Sequence, residues 1–292
     1  MKIKEFEEIG EDIISLNDPM FPLYIIRGDQ PVLIDSGVSR KATLFQQRIR
    51  HVLGEQKLAF IILTHSHWDH TGALSYLAEV HQATVAASPE ATLLLRKENV
   101  IAFINRLNRE FASVEERDAL PEVHSPLPLV SISDGERLQL SSDRALTALA
   151  SPGHTRCSQS YMLEPDGVLF PGDAAGIMER NGEIRPLFLS NCDDYQNSLQ
   201  KLSRLSANTL AFSHNHFIQG KESVSRYFEK SLETTNKWFT QIKERLQEGL
   251  DEHLIAERFV ESAFSSTTLQ SPKEVFIINM LAMIRAVGKT LN

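Results

Sequence analysis

Through the first 215 residues, short apolar runs alternate with longer amphipathic stretches, and Gly or Asp closes most of the runs. Runs at 13–16, 23–27, 31–34, 60–63, 84–87, 138–140, 146–150, 161–163, 168–170 and 210–212 have the length of strands. Glu164, Pro165, Asp166 and Gly167 between two of them read as a hairpin turn, with Pro165 fixing φ and Gly167 free to take a positive one. Helical spacing predicts helices over 40–53, 73–81, 89–96, 100–111 and 193–205, and Asp193 and Asp194 put negative charge in the first turn of the last. From about Lys221 the pattern is helix alone: 223–248 with Gly249 as a stop, then 251–264 and 272–287. The chain thus divides into an α/β domain over 1–220 and a helical extension over 221–292. In the extension Phe228, Leu232, Trp238, Phe239, Ile242 and Leu246 recur largely at three- and four-residue steps, a stripe that must bury against something.

One stretch carries chemistry. The run at 60–63 leads straight into His65, Ser66, His67, Trp68, Asp69 and His70, a loop rich in imidazole and carboxylate donors suited to a borderline divalent metal. From the chain's own composition this spacing arises by chance on the order of once in a couple of thousand such sequences. Extended backbone puts His65 and His67 on one face, and a turn at Trp68 swings Asp69 and His70 toward a second position, so two metal positions follow more naturally than one. Three more donors, His154, Asp173 and His214, each come shortly after a strand, where a rigid sheet can hold them. His216 stands two places beyond His214 as an alternative last donor; His214 follows its strand directly, as the others do. His51, His81, His124 and His253 stand alone and read as structural, and Cys157 reads as a small buried residue.

Charge and composition narrow the partners. The 30 Lys and Arg against 38 Asp and Glu leave a formal charge of −8, without the basic field that a nucleic-acid binder needs. Two cysteines, Cys157 and Cys192, make no disulfide framework, and Glu5, Glu7, Glu8, Glu11 and Asp12 interrupt the apolar core of a signal peptide, so a cytoplasmic location is expected. The apolar stretch 275–284 is broken by Asn279 and falls short of the roughly 20 residues that span a bilayer. A small-molecule substrate is expected, with no nucleic acid and no membrane.

The motif from Thr64 to His70, together with Asp35, Ser36 and Gly37 after an early strand and with His154, Asp173 and His214, resembles the metallo-β-lactamase superfamily of binuclear hydrolases over residues 10 to 220. The resemblance implies a four-layer αββα sandwich, here with a C-terminal helical cap. It also implies that His65, His67 and His154 hold one divalent ion and Asp69, His70 and His214 a second, with Asp173 bridging. Zinc is the expected metal, with iron or manganese as alternatives. Ser213 and Asn215 flank His214 where the superfamily usually has glycines.

Hydrolysis by a metal-bridging hydroxide follows from that resemblance, with Asp69 as the residue that orients the nucleophile or accepts its proton. Asp69 and Asp173 favour hydrolysis over the flavodiiron branch, and the acidic charge argues against the tRNA-processing branch. Lactonases of the superfamily carry a Tyr three residues after the bridging Asp, where this chain has Gly176. Residues 37–40, 106–109 and 185–187 resemble the quinolone-signal response type of thioesterase, although Ile177 stands where that type has Glu. The expected activity is cleavage of an acyl thioester, an acyl-CoA or acyl-glutathione-like molecule, with a lactonase or a regulatory interaction protein as alternatives. The last helices and 100–111 are expected to roof the site, with Phe103, Leu107, Phe264 and Met280 walling an acyl pocket.

Overall fold

The computed structural model describes residues 5–125, 127–179, 181–266 and 273–291. Its first sheet takes its strands in chain order: β1 (Glu7–Gly10), β2 (Ile13–Leu16), β3 (Leu23–Ile26), β4 (Val32–Ile34), β5 (Phe60–Ile62), β6 (Thr84–Ala87) and β7 (Leu129–Ser131). Pairing is antiparallel as far as β4 and parallel from there on. The second sheet contains β8 (Arg137–Gln139), β9 (Ala145–Ala150), β10 (Gln159–Glu164), β11 (Val168–Phe170), β14 (Thr209–Ala211) and β15 (Phe217–Gln219), in the order β15-β14-β11-β10-β9-β8. Between β11 and β14 the chain makes a small hairpin of β12 (Ile177–Met178) and β13 (Ile184–Arg185).

Alternation along the strands decides what packs where. Ile13, Tyr24, Ile26, Val32, Ile34 and Ile62 point between the sheets, where Leu146, Tyr161, Leu163, Val168 and Phe170 of the second sheet meet them. Their neighbours Ile14, Leu16, Leu23, Ile25, Leu33 and Ile61 point outward and are buried as well, under α1 (Ala42–Leu53), α3 (Leu74–His81), α4 (Pro89–Leu94) and α5 (Glu98–Phe111). Strands covered on both faces are apolar throughout, which is why these runs stood out in the sequence. A short helix, α2 (Trp68–Thr71), lies between β5 and α3. On the other side α6 (Cys192–Ser203), α7 (Lys221–Gln247), α8 (Glu252–Ser266) and α9 (Lys273–Gly288) pack with the outer face of the second sheet, completing four layers.

The helical extension shares that outer core with the domain before it. Leu169, Phe188, Tyr195, Leu199, Leu210 and Phe212 form one apolar cluster with Phe228, Ile242, Phe276, Ile284 and Val287. Each of the largest of these, fully buried, contributes about 1.5–3 kcal/mol over the exposed side chain. No described helix is long and apolar enough to cross a membrane. The strands absent from the sequence reading are β1, β7 and β15, which are sheet edges with partly solvated faces, and the two-residue β12 and β13. Edges need no unbroken apolar run, so the pattern does not announce them.

Candidate metal centre

Five segments end at the same rim of the sandwich. β4 delivers Asp35, β5 runs into Thr64 to His70, the β9–β10 turn carries His154, and β11 and β14 lead to Asp173 and His214. The first loop is pinned by Asp35, whose Oδ1 accepts from the Thr64 amide at 2.8 Å and whose Oδ2 accepts from Thr64 Oγ1 at 2.9 Å. His67 is extended and precedes α2, whose first turn then holds Asp69 and His70. The Gly153 that precedes His154 has φ +122°, and a Cβ there would stand 2.2 Å from the Tyr195 backbone nitrogen, so no other residue fits. Gly172 before Asp173 has φ +58°, and a Cβ there would meet Thr64 Cβ at 2.7 Å. At His214, where flanking glycines are usual, Asn215 itself takes φ +70°, a conformation that Asn tolerates.

These placements bring all seven donors together. His65, His67 and His154 offer ligand atoms that lie within 4.8 Å of one another, as do Asp69, His70 and His214. Asp173 sits between the two groups: its Oδ2 is 3.4 Å from His154 Nε2, and its Oδ1 is 3.4 Å from His214 Nε2 and 3.7 Å from His70 Nε2. His216 is not in the cluster; the exposed imidazole has Glu7 as its charged neighbour.

The far ring nitrogens of four of the five histidines are occupied. His70 Nδ1 pairs with Asp35 Oδ2 at 2.9 Å, His154 Nδ1 with the Leu187 carbonyl at 2.9 Å, and His214 Nδ1 with the Met20 carbonyl at 3.1 Å. His65 Nδ1 lies 3.1 Å from Thr64 Oγ1. Partners of this kind fix the tautomer and aim Nε2 at the centre, the arrangement of metal-ligating histidines. Asp35 was legible as part of the motif, but its task of orienting His70 was not.

The donor set fits divalent ions on a second ground. His70 Nε2 and Asp173 Oδ1 are buried without a hydrogen-bond partner, and a buried polar group left so is costly. The donors also act strongly on one another's charge. Burial, with His70 and His214 adding, pushes His67 down to about 4, and burial with His67 and His70 pushes His154 down to about 3. Burial would lower His70 too, but Asp35, Asp69 and Asp173 outweigh it and raise it to about 10. Asp173, which burial alone would raise, is held well below the usual carboxylate range by His214, His70 and His154.

The described structure corrects the expected pocket. Phe103 is 52% exposed on α5 with the Arg106 guanidinium over its ring, and Leu107 is half-buried. α5 turns Ile101, Ile104 and Asn108 inward instead, because Asn108 accepts from the Ser39 amide at 2.9 Å and donates to the Trp68 carbonyl at 3.0 Å. A polar residue buried by its hydrogen bonds shifts the face that an apolar pattern predicts. Met280 is 0% exposed inside the outer core and walls no pocket, and the Phe264 side chain lies outside the described residues. Aromatic residues that the sequence reading missed flank the donors: Phe21 meets His214 at 5.7 Å and Phe111 at 5.8 Å, and Phe111 meets Trp68 at 5.1 Å. A hollow of about 730 Å³ against another face of α5, lined by Ile101, Asn105, Arg106, Arg109, Val123 and His124, contains none of the seven donors.

The family description "Metallo-beta-lactamase superfamily" matches residues 23–214, about two thirds of the chain. The chain belongs to this superfamily. Among curated relatives of this superfamily member, an uncharacterized Bacillus subtilis protein is 26% identical over 239 residues, 77% of this chain and 96% of its own. An acyl-coenzyme A thioesterase of Gallus gallus is 30% identical over 193 residues, 63% of this chain and 66% of its own. Among solved structures, an archaeal metallo-β-lactamase superfamily protein from Sulfolobus tokodaii matches with a TM-score of 0.61 at 20% identity, covering 93% of each chain. That likeness is one of fold, and it includes the region of the helical extension.

Proposed function

We propose that this metallo-β-lactamase superfamily hydrolase cleaves acyl thioesters, an acyl-CoA or acyl-glutathione-like molecule, with two divalent ions as cofactors and zinc foremost among them. The observation that carries the reading is the convergence of seven donors, with the far nitrogens of His65, His70, His154 and His214 already engaged, beside an aromatic flank. His65, His67 and His154 would hold one ion, Asp69, His70 and His214 the other, and Asp173 would link them. Divalent ions so held would supply Lewis acidity and make a nucleophile available near neutral pH.

The chain's own groups supply the rest. Asp69 is 15% exposed, the more open of the two carboxylates among the donors, and its Oδ2 lies 3.7–3.8 Å from His70 and His214 Nε2; in this reading it accepts and passes on a proton. Trp68 and Phe111, both partly exposed, offer apolar surface to an acyl chain and limit water beside the reacting carbonyl. The similarity to an acyl-coenzyme A thioesterase and the Gly176 in place of a lactonase tyrosine support the thioester over the lactone.

A panel of CoA and glutathione thioesters, lactones and β-lactams, run on metal-analysed full-length protein beside an Asp173→Ala variant, tests this. The expected result is close to two ions per chain, thioester turnover abolished by chelator, and loss of both metal and turnover in the variant. Lactone opening without thioester cleavage would move the assignment to the lactonase. A fully metallated protein inert to the whole panel would leave the regulatory alternative.

A further inference from the structure

Resting on the reading of the cluster as a metal centre, we infer that α7 is part of that centre's support: Tyr227 and Ser231 are positioning residues for the Asp173 turn, so metal affinity depends on a helix beyond the segment that matches the family. Asp173 lies in a single 3₁₀ turn, Gly172–Ala175, whose last carbonyls have no partner within so short a helix. α7 provides the partners. Tyr227 Oη donates to the carbonyls of Ala175 at 3.1 Å and Gly176 at 3.3 Å, and Ser231 Oγ donates to the Ala175 carbonyl at 2.9 Å. Both side chains are buried, 5% and 0% exposed, so these bonds have little competition from water.

The turn has nowhere else to go. At its start Gly172 abuts Thr64, and at its end Gly176, at φ +81°, would place a Cβ 2.8 Å from the Arg185 carbonyl. The Tyr227 ring also packs against Phe212 at 4.7 Å, two residues before His214. One tyrosine therefore holds the backbone just after Asp173 and packs on the side chain two residues before His214. A serine and a threonine on the buried face of a long helix, Ser231 and Thr235, would otherwise be poor choices against an apolar core. Thr235 satisfies itself on the Ser231 carbonyl at 2.7 Å, which leaves the Ser231 hydroxyl to the turn.

Cobalt(II) titration of the metal-free full-length protein, against a competing chelator and with the visible spectrum recorded, reads this without any substrate. Tyr227→Phe with Ser231→Ala is expected to weaken cobalt binding about 10-fold or more, the scale of outer partners of metal ligands, and to alter the spectrum. Each single variant, which leaves Ala175 one hydroxyl, should fall between. Ile242→Val, a core change in the same helix away from the turn, should leave affinity and spectrum alone. A folded double variant that binds cobalt as the wild type does, with the same spectrum, overturns the inference. If the double variant does not fold, the single variants decide by the same criterion. A wild type that takes up no cobalt overturns the inference together with the metal-centre reading, whereas a wild type that binds and variants that bind equally overturn the inference alone.

Discussion

An imidazole has two nitrogens, and in this protein what the second one touches sets three histidines of the cluster apart from His81. His70, His154 and His214 anchor Nδ1 on a carboxylate or a carbonyl and leave Nε2 to the centre, while His81 spends both nitrogens on the fold. The Leu58 amide donates to His81 Nδ1 at 3.2 Å, and Nε2 meets Gln46 Oε1 at 2.7 Å, an arrangement that needs the neutral ring. Burial lowers the His81 pKa, and Lys57 adds to it. With the folded value below the unfolded one of about 6.5, this histidine supports the fold above that pH and loses its contribution as pH falls. Urea unfolding of metal-free protein should therefore show the wild type losing more stability between pH 7.5 and 5.5 than His81→Gln. Parallel losses would mean that His81 does not titrate with folding. The lone position of His81 in the sequence pointed to a structural role, and the seven donors were legible because metal chemistry restricts both residue type and spacing. The orienting work of Asp35 and Thr64 was not, since an Asp and a Thr 29 positions apart carry no local signal.

At the scale of elements, apolar alternation located the buried strands and the long helices to within a residue or two, because each has a face that must leave water. It mis-set the rotation of α5. Phe103 was expected as a pocket wall, yet it is 52% exposed, and Asn108, which the apolar pattern did not single out, ties α5 to both Ser39 and the start of α2. Asn108→Ala would leave the buried Ser39 amide without its partner and free the Trp68 carbonyl, and each unsatisfied group costs about 1–3 kcal/mol. Chemical denaturation should show a loss of about 2 kcal/mol or more, with α2 loosened beside Asp69 and His70. A loss below about 0.5 kcal/mol, the scale of ordinary surface substitutions, would show that the hydrogen bonds are replaced by water.

For the whole molecule, donors drawn from positions 65 to 214 mean that ions held by them would stitch together both sheets. Metal that binds the folded chain alone stabilises it by about 2.7 kcal/mol at a hundredfold excess over Kd. Chelation should lower the thermal midpoint by several degrees, and readdition of zinc should restore it. An unchanged midpoint would place the ions outside the folded cluster.

The outer core described above joins residues from Leu169 to Val287. A chain leaving the ribosome exposes all its donors once His214 has emerged, but α7 and α9 are still to come, and at about 5–20 residues per second the wait lasts several seconds. Through that interval the second sheet shows water an uncovered apolar flank, and the Asp173 turn lacks Tyr227 and Ser231 until α7 emerges. Nascent protein at this stage is a natural client for chaperones, and the centre takes its final shape only after the helices that follow His214 have emerged.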